Sequence, residues 1–304
     1  MSNDVKIESA TNVTQFELLT DKEEQHNVNV SSRLITLIGE YHEHNFKCKG
    51  YPKSITINDY LQSRVKKNNK CKILLEFHPN LSNEQIGRIG TDIIQNIYNR
   101  DTRDNDKIRE HVVGIDIRTD FIGREGQTNL YNKSNLKSKY TTDEFKETFI
   151  NPFFEAGGDV GLNSRLQDLD ETAQKNLRKY TSKIYKKMLQ YESQPNPTLL
   201  ELQEIWAMIT DFEVLLKINE KTLCDEIIVC IGDFHRINLS KEIARWSNTI
   251  KISGNDNISD SESCVSVDSL KNVSDLSSDD ESDLSSGSSG GESDLESGGE
   301  SDNY

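Results

Sequence analysis

Two segments of this chain repeat one four-residue order at the end of an apolar run. Leu34-Ile35-Thr36-Leu37-Ile38 leads into Gly39-Glu40-Tyr41-His42, and Ile227-Ile228-Val229-Cys230-Ile231 leads into Gly232-Asp233-Phe234-His235. Each run thus ends in glycine, an acid, an aromatic and a histidine. The echo extends to Asn45-Phe46 and Asn238-Leu239, and a looser copy follows Leu74-Leu75 as Glu76-Phe77-His78-Pro79-Asn80. With only six histidines in 304 residues, this recurrence points to convergence in space. Two imidazoles with carboxylates match the ligand set of Zn(II), Mn(II), Fe(II) or Co(II), and such an ion lowers the pKa of bound water toward neutrality. In that reading His42 and His235 are the ligands, or act on water directly, while Glu40 and Glu76 supply a ligand or a general base.

Further residues could complete such a site. Glu76 closes a buried run, where an unpaired carboxylate is costly, so a metal, arginine or imidazole partner is expected. In Gly114-Ile115-Asp116-Ile117-Arg118 extended geometry puts Asp116 and Arg118 on one side. Arg118 could stabilise an oxyanion or hold a carboxylate or phosphate, and Asp116 could orient a histidine or bind metal. The competing reading is a salt bridge that closes the sheet edge. Asp211 lies within the apolar stretch Trp206 to Ile218, facing either the sheet or water. His44, His78 and Asp233 are supporting candidates, with a solvated loop for His44 and a turn cap for His78 as alternatives. No GxSxG elbow or reactive-cysteine setting occurs, which argues against serine or cysteine hydrolysis. The glycine-rich stretch at 157 to 161 lacks the pattern of a phosphate-binding loop.

Positioning these residues requires strands. Apolar runs at 34 to 38, 73 to 75, 112 to 115 and 227 to 231 are continuous rather than alternating, as in strands buried on both faces of a largely parallel sheet. A helix is expected over 57 to 65. Another is expected where Ile86, Ile89, Ile93, Ile94 and Ile97 recur at helical spacing behind a Ser82–Gln85 capping box. Strand and helix alternation from 33 to 116 predicts an α/β fold, a mainly parallel sheet flanked by helices. Residues just past the carboxyl ends of parallel strands then gather along one edge, and Gly39 and Gly232 permit the sharp exit toward it. Helices over 142 to 155, 165 to 192 and 198 to 219 form an insertion at about 141 to 220, between the third and last core strands, placed to build a lid or one wall of a cleft. A strand at 225 to 231 and a helix from Leu239 to Trp246 return the chain to the sheet.

Composition narrows the function classes. The net charge is -15, but residues 254 to 304 hold 14 acids against one lysine, so the body is nearly neutral. The sequence divides into an amino-terminal extension (1 to 32), one α/β domain (33 to 253) and an acidic Ser/Asp/Glu/Gly tail (254 to 304). The tail has too few apolar residues to offset the entropy of ordering and is expected to be disordered. Its serines beside acids suit phosphorylation or capture of a basic partner. Lysines and arginines are scattered among acids, which excludes a nucleic-acid footprint. No run approaches the ~18 apolar residues of a bilayer span, and the polar start is not a signal peptide. A soluble, cytoplasmic protein is therefore expected. Five cysteines without a CxxC pair read as reduced thiols rather than a disulfide framework or zinc finger.

At Gly39 to His42, Gly232 to His235, Glu76 and Arg118, the chain resembles the Tiki/TraB superfamily. That group joins Tiki-type metalloproteases, TraB proteins, erythromycin esterases and haem-uptake lipoproteins. Two GxxH motifs at strand ends, with a glutamate and an arginine between them, carry the likeness, and the GExH form of the first is closest to the esterase and haem-uptake branches. The resemblance spans about residues 33 to 240. It implies an α/β core with a helical insertion and hydrolysis of an ester or peptide bond in a small molecule or peptide, by metal or by His and Glu. Two other readings stay open. One is a binding protein for haem, iron or a small ligand without turnover, and the other is a degenerate scaffold whose tail recruits partners. Richness in Asn, Ile and Lys resembles proteins of AT-rich genomes such as giant DNA viruses, which would place the chain in host cytoplasm or a virion.

Overall fold

The computed structural model describes residues 5–24, 27–40, 53–89, 91–99, 102–118, 165–193, 199–222, 224–254, 264–267 and 270–272. The four expected core strands are present. Three of them, β3 (Asn27–Glu40), β5 (Cys71–Leu75) and β6 (Val112–Gly114), belong to the first half of the domain, and the fourth is β7 (Glu226–Gly232). They lie in the order β6-β5-β7-β3, all parallel, and all seven residues of β7 are buried. The chain thus passes from β3 to β5, moves outward to β6, and returns through β7 into the gap left between β3 and β5. Such a reversal marks the carboxyl edge of the strands as the place where α/β folds bind their ligands.

Two strands that the sequence reading did not anticipate extend the sheet to six. β2 (Ala10–Glu24) pairs antiparallel with β3 along its length, and β8 (Thr249–Ser253) pairs antiparallel with β2. A separate three-stranded sheet joins β1 (Lys6–Glu8) to β4 (Ser54–Thr56) and β9 (Val265–Ser266). Residues 5 to 32 are therefore largely sheet rather than an extension. The tail boundary at 254 is also corrected. Beyond β9, the Lys271 backbone N–H donates to Gln15 Oε1 at 2.8 Å and Arg64 donates to the Asn272 side chain. These polar anchors hold residues 270–272 against the body, next to 264–267; residues 273 to 304 lie outside the described chain. Of the described cysteines, Cys71, Cys224 and Cys230 are free, whereas Cys264 is disulfide-bonded, contrary to the reading of all thiols as reduced.

Helices cover both faces. On one face α1 (Ile57–Lys67), α2 (Asn83–Ile89), α3 (Asp92–Tyr98) and α4 (Arg103–Arg109) share a core with Ile38, Ile73, Leu75, Ile228 and Cys230. On the other, α5 (Glu171–Ser193), α6 (Leu199–Asn219) and α7 (Asp233–Ile243) pack on Ile35, Leu37, Leu74, Ile227, Val229 and Ile231. Alternate residues of β7 face opposite cores, and each fully buried aliphatic side chain there stabilises by about 1.5–3 kcal/mol. The capping box expected at Ser82 forms, with Gln85 N–H donating to Ser82 Oγ at 3.3 Å and Ser82 N–H to Gln85 Oε1 at 3.0 Å. The insertion contributes α5 and α6 to the second face; the helix expected over 142 to 155 lies outside the described residues. No described helix is long and apolar enough to cross a membrane.

Candidate active site

One expectation changes the chemistry directly. The helix expected from Leu239 to Trp246 starts earlier: α7 begins at Asp233, immediately after Gly232 ends β7. Its extended N-cap, Gly232, turns the chain from strand to helix in a single step, and Asp233 supplies an acid where the helix dipole favours one. His235 therefore sits in the first helical turn, over the carboxyl edge of the sheet, rather than in a loop.

Three adjacent strands and the insertion bring further residues to it. The Nδ1 of His235 lies 2.6 Å from Asp211 Oδ1, in the middle of α6. Asp211 is fully buried, and its second oxygen accepts a hydrogen bond of 3.3 Å from the hydroxyl of Tyr180 on α5. Burial raises the Asp211 pKa against the opposing His235 and Tyr180 contacts; with Asp211 ionised, the imidazole donates from Nδ1 and leaves Nε2 as the reactive nitrogen. That Nε2 stands 3.9 Å from Glu76 Oε1, too far for a hydrogen bond. Glu76 follows β5, and its Oε1 accepts from Arg118 Nη2 at 3.1 Å, while Oε2 is buried without a hydrogen-bond partner among the described residues. Arg118 also grips Asp116 through Nε and Nη2, both at 2.7 Å. Asp116 and Arg118 meet through a local turn rather than strand alternation, since β6 ends at Gly114 and the Arg118 backbone N–H donates to Asp116 Oδ1 at 3.2 Å; the salt-bridge reading of the pair describes their contact.

Glu40 completes the row. It is the last residue of β3, in register with Gly232 of β7, and only 6% exposed. Burial, followed by the charge of Glu76, pushes its carboxyl up to about 8, with the nearby Thr91 hydroxyl opposing the shift. Glu40 is consequently protonated at neutral pH and can give up a proton. Asp116 moves the other way. Its burial favours the neutral acid, but the Arg118 hydrogen bonds and charge outweigh that and hold it below the ordinary aspartate range. Burial alone would depress His235, yet the Asp211 charge and hydrogen bond, with Glu76, lift it above the usual imidazole value against Arg118. Carboxyl groups driven in opposite directions beside a held imidazole are the arrangement from which acid and base roles are drawn.

The structure brings together Glu40, Glu76, Asp116, Arg118, Asp211 and His235 from five separate segments. His78 stays at the rim, its Nδ1 accepting from Asn80 N–H at 3.2 Å as a turn cap does, and its charge acts on Asp116. Asp233 turns away to pair with Arg236, which is fully buried and donates to Thr14 Oγ1 at 2.9 Å, so it anchors α7 to β2. His42 and His44 lie outside the described residues. Among the described residues no group of three or more His, Cys, Asp or Glu side chains is arranged to hold a metal ion. Tyr180 was missed because a tyrosine on the apolar face of a helix reads as core. Phe234 stands beside His235 with its ring exposed.

Comparison with protein-family models, with curated proteins and with solved structures finds no match to this chain.

Proposed function

We propose that the chain is a hydrolase of ester or peptide bonds in which His235, backed by Asp211, activates water. One observation carries this reading: a buried aspartate holds Nδ1 of an imidazole at 2.6 Å at the carboxyl edge of a parallel sheet, leaving Nε2 toward Glu76. In the first step Nε2 takes a proton from water as the oxygen attacks the carbonyl carbon, and Asp211 stabilises the imidazolium that forms. Glu40, kept neutral by burial, gives its proton to the leaving oxygen or nitrogen. Glu76 Oε1, 3.9 Å from Nε2, accepts the second hydrogen bond of the attacking water. The positive charge of Arg118, shared with two carboxylates, limits the cost of keeping this acid-rich site ionised beside the developing oxyanion.

The likeness to the Tiki/TraB superfamily agrees with this assignment in its second GxxH motif, its glutamate and its arginine. The divalent ion and the haem that the likeness implies enter no step, because the described side chains do not make up a ligand set and His42 lies outside them.

The test uses the full chain with a panel of activated esters and short peptides. His235→Ala and Asp211→Asn should each lower turnover by about 10²- to 10⁴-fold while circular dichroism stays unchanged. Wild-type turnover in both variants overturns the proposal. Metal analysis and a haem titration of the same preparation identify the rival. Tight uptake of iron or haem without any hydrolysis assigns the site to binding.

A further inference from the structure

We infer that Tyr180 is a positioning residue of the proposed site, its hydroxyl fixing the Asp211 carboxylate so that the other carboxylate oxygen receives the His235 Nδ1 proton. The inference rests on the hydrolase reading for its kinetic consequence alone, since the geometry stands without it. Asp211 is fully buried in the middle of α6, out of contact with bulk solvent, and its two oxygens are divided between His235 Nδ1 at 2.6 Å and Tyr180 hydroxyl at 3.3 Å. Rotation of the carboxylate about its last bond would exchange a good hydrogen bond for a buried, unpaired oxygen, which costs more than the bond itself contributes. A second donor on Oδ2 removes that freedom.

The surroundings of Tyr180 favour donation toward Asp211. Its ring belongs to the core shared with Leu177, Ile184 and Met188, and only its hydroxyl is polar. The charged groups near it are Asp211 on α6, Lys183 on its own helix and Glu242 on α7. Lys183 lies 5.7 Å from the ring and is itself ion-paired to Glu242, so those two charges offset one another. Asp211 remains as the acceptor within reach. Around the imidazole stand Asp211, Glu76 and Arg118. The insertion therefore supplies both the carboxylate and the group that aims it, from two successive helices, while the sheet supplies the histidine.

A satisfied core tyrosine would have the same contact, so the test must read the Asp211–His235 bond itself. The proton held between His235 Nδ1 and Asp211 gives a far-downfield proton resonance, assigned by its loss in His235→Ala. In Tyr180→Phe the carboxylate becomes a stronger acceptor, and the resonance should move further downfield. Placing 3-fluorotyrosine at 180 keeps the shape, strengthens the donor and should move it upfield. In the hydrolysis assay Tyr180→Phe should lower kcat by about 3- to 10-fold with KM unchanged. A resonance that is absent from the wild type, or that keeps its position in both variants, overturns the inference. Should Tyr180→Phe fail to fold, the fluorinated protein decides alone. If the resonance responds as stated but no wild-type hydrolysis is found, the hydrolase proposal falls and the positioning role stands.

Discussion

Replacing Glu40 by Gln keeps the size of the side chain and removes its ability to ionise, which makes the cost of this buried acid measurable. In the folded protein its pKa is raised from 4.5 to about 8, chiefly by burial and then by Glu76. A raised acid holds its proton more tightly when folded, so the native state is favoured in acid and loses that advantage as pH climbs from about 4.5 through about 8. At 1.36 kcal/mol per pKa unit, the loss relative to a side chain that never ionises is about 1 kcal/mol at pH 5, about 3 at pH 7 and about 5 at pH 9. The assay is urea unfolding of both proteins at those three pH values. Groups common to the two cancel in the difference, which should widen by about 4 kcal/mol in favour of Glu40→Gln between pH 5 and pH 9. Hydrolysis should fall by about 10²-fold at pH 7, since the amide cannot release a proton to the leaving group. A stability difference independent of pH would show that Glu40 ionises normally, and the acid role assigned to it would fall.

Arg64→Met leaves Glu226, fully buried at the opposite end of β7, without its cation and should destabilise by about 3–5 kcal/mol in denaturant unfolding. Gly114→Ala would place a Cβ 2.5 Å from the Phe77 carbonyl oxygen and 2.8 Å from its ring, so about 1–3 kcal/mol of overpacking is expected, with lowered turnover because Glu76 and Asp116 flank the contact. Ending the chain after 263 should lower the thermal midpoint by removing β9 and the Lys271–Gln15 hydrogen bonds, whereas ending it after 272 should leave the midpoint unchanged.

What could be seen in advance follows from which residues are apolar. The four parallel strands announce themselves because strands buried on both faces must be continuously apolar, and β7 with Ile227 through Ile231 is the plainest case. β2 escapes notice for the opposite reason. Its Thr14 and Gln15 are buried yet polar, satisfied by Arg236 and by Thr36 with Lys271, partners more than twenty residues away that no local pattern reveals. The same logic divides the site. Glu76 and Asp211 stand out as acids inside apolar stretches, and Asp116 with Arg118 as an alternating pair. Tyr180 does not, since its ring satisfies the helix periodicity by itself and only its hydroxyl reports the contact. The late placement of α7 has another cause. Asp233, His235 and Arg236 look like a polar loop, and it takes the buried Arg236–Asp233 and Arg236–Thr14 contacts to show that they belong to a helix packed on the sheet.

The two ends of the sheet treat buried charge differently, and the difference argues for where the chemistry lies. At the end where β7 begins, cations do structural work. Arg33 donates to the backbone carbonyls of Ile218, Glu220, Thr222 and Cys224, closing the loop between α6 and β7, and Arg64 gives two hydrogen bonds to Glu226. At the end where β7 finishes, Glu40, Glu76, Asp116 and Asp211 meet Arg118 and His235, so among the described residues negative charge is in excess even with the imidazole protonated. A fold selected for stability alone would replace one of these acids with an amide or an apolar residue. Here the excess is instead relieved by a proton, and burial beside Glu76 assigns that proton to Glu40. The cost of crowding acids around one imidazole thus leaves a carboxyl group that is neutral at physiological pH opposite a base held in place, the two states that attack on a carbonyl and departure of its leaving group require.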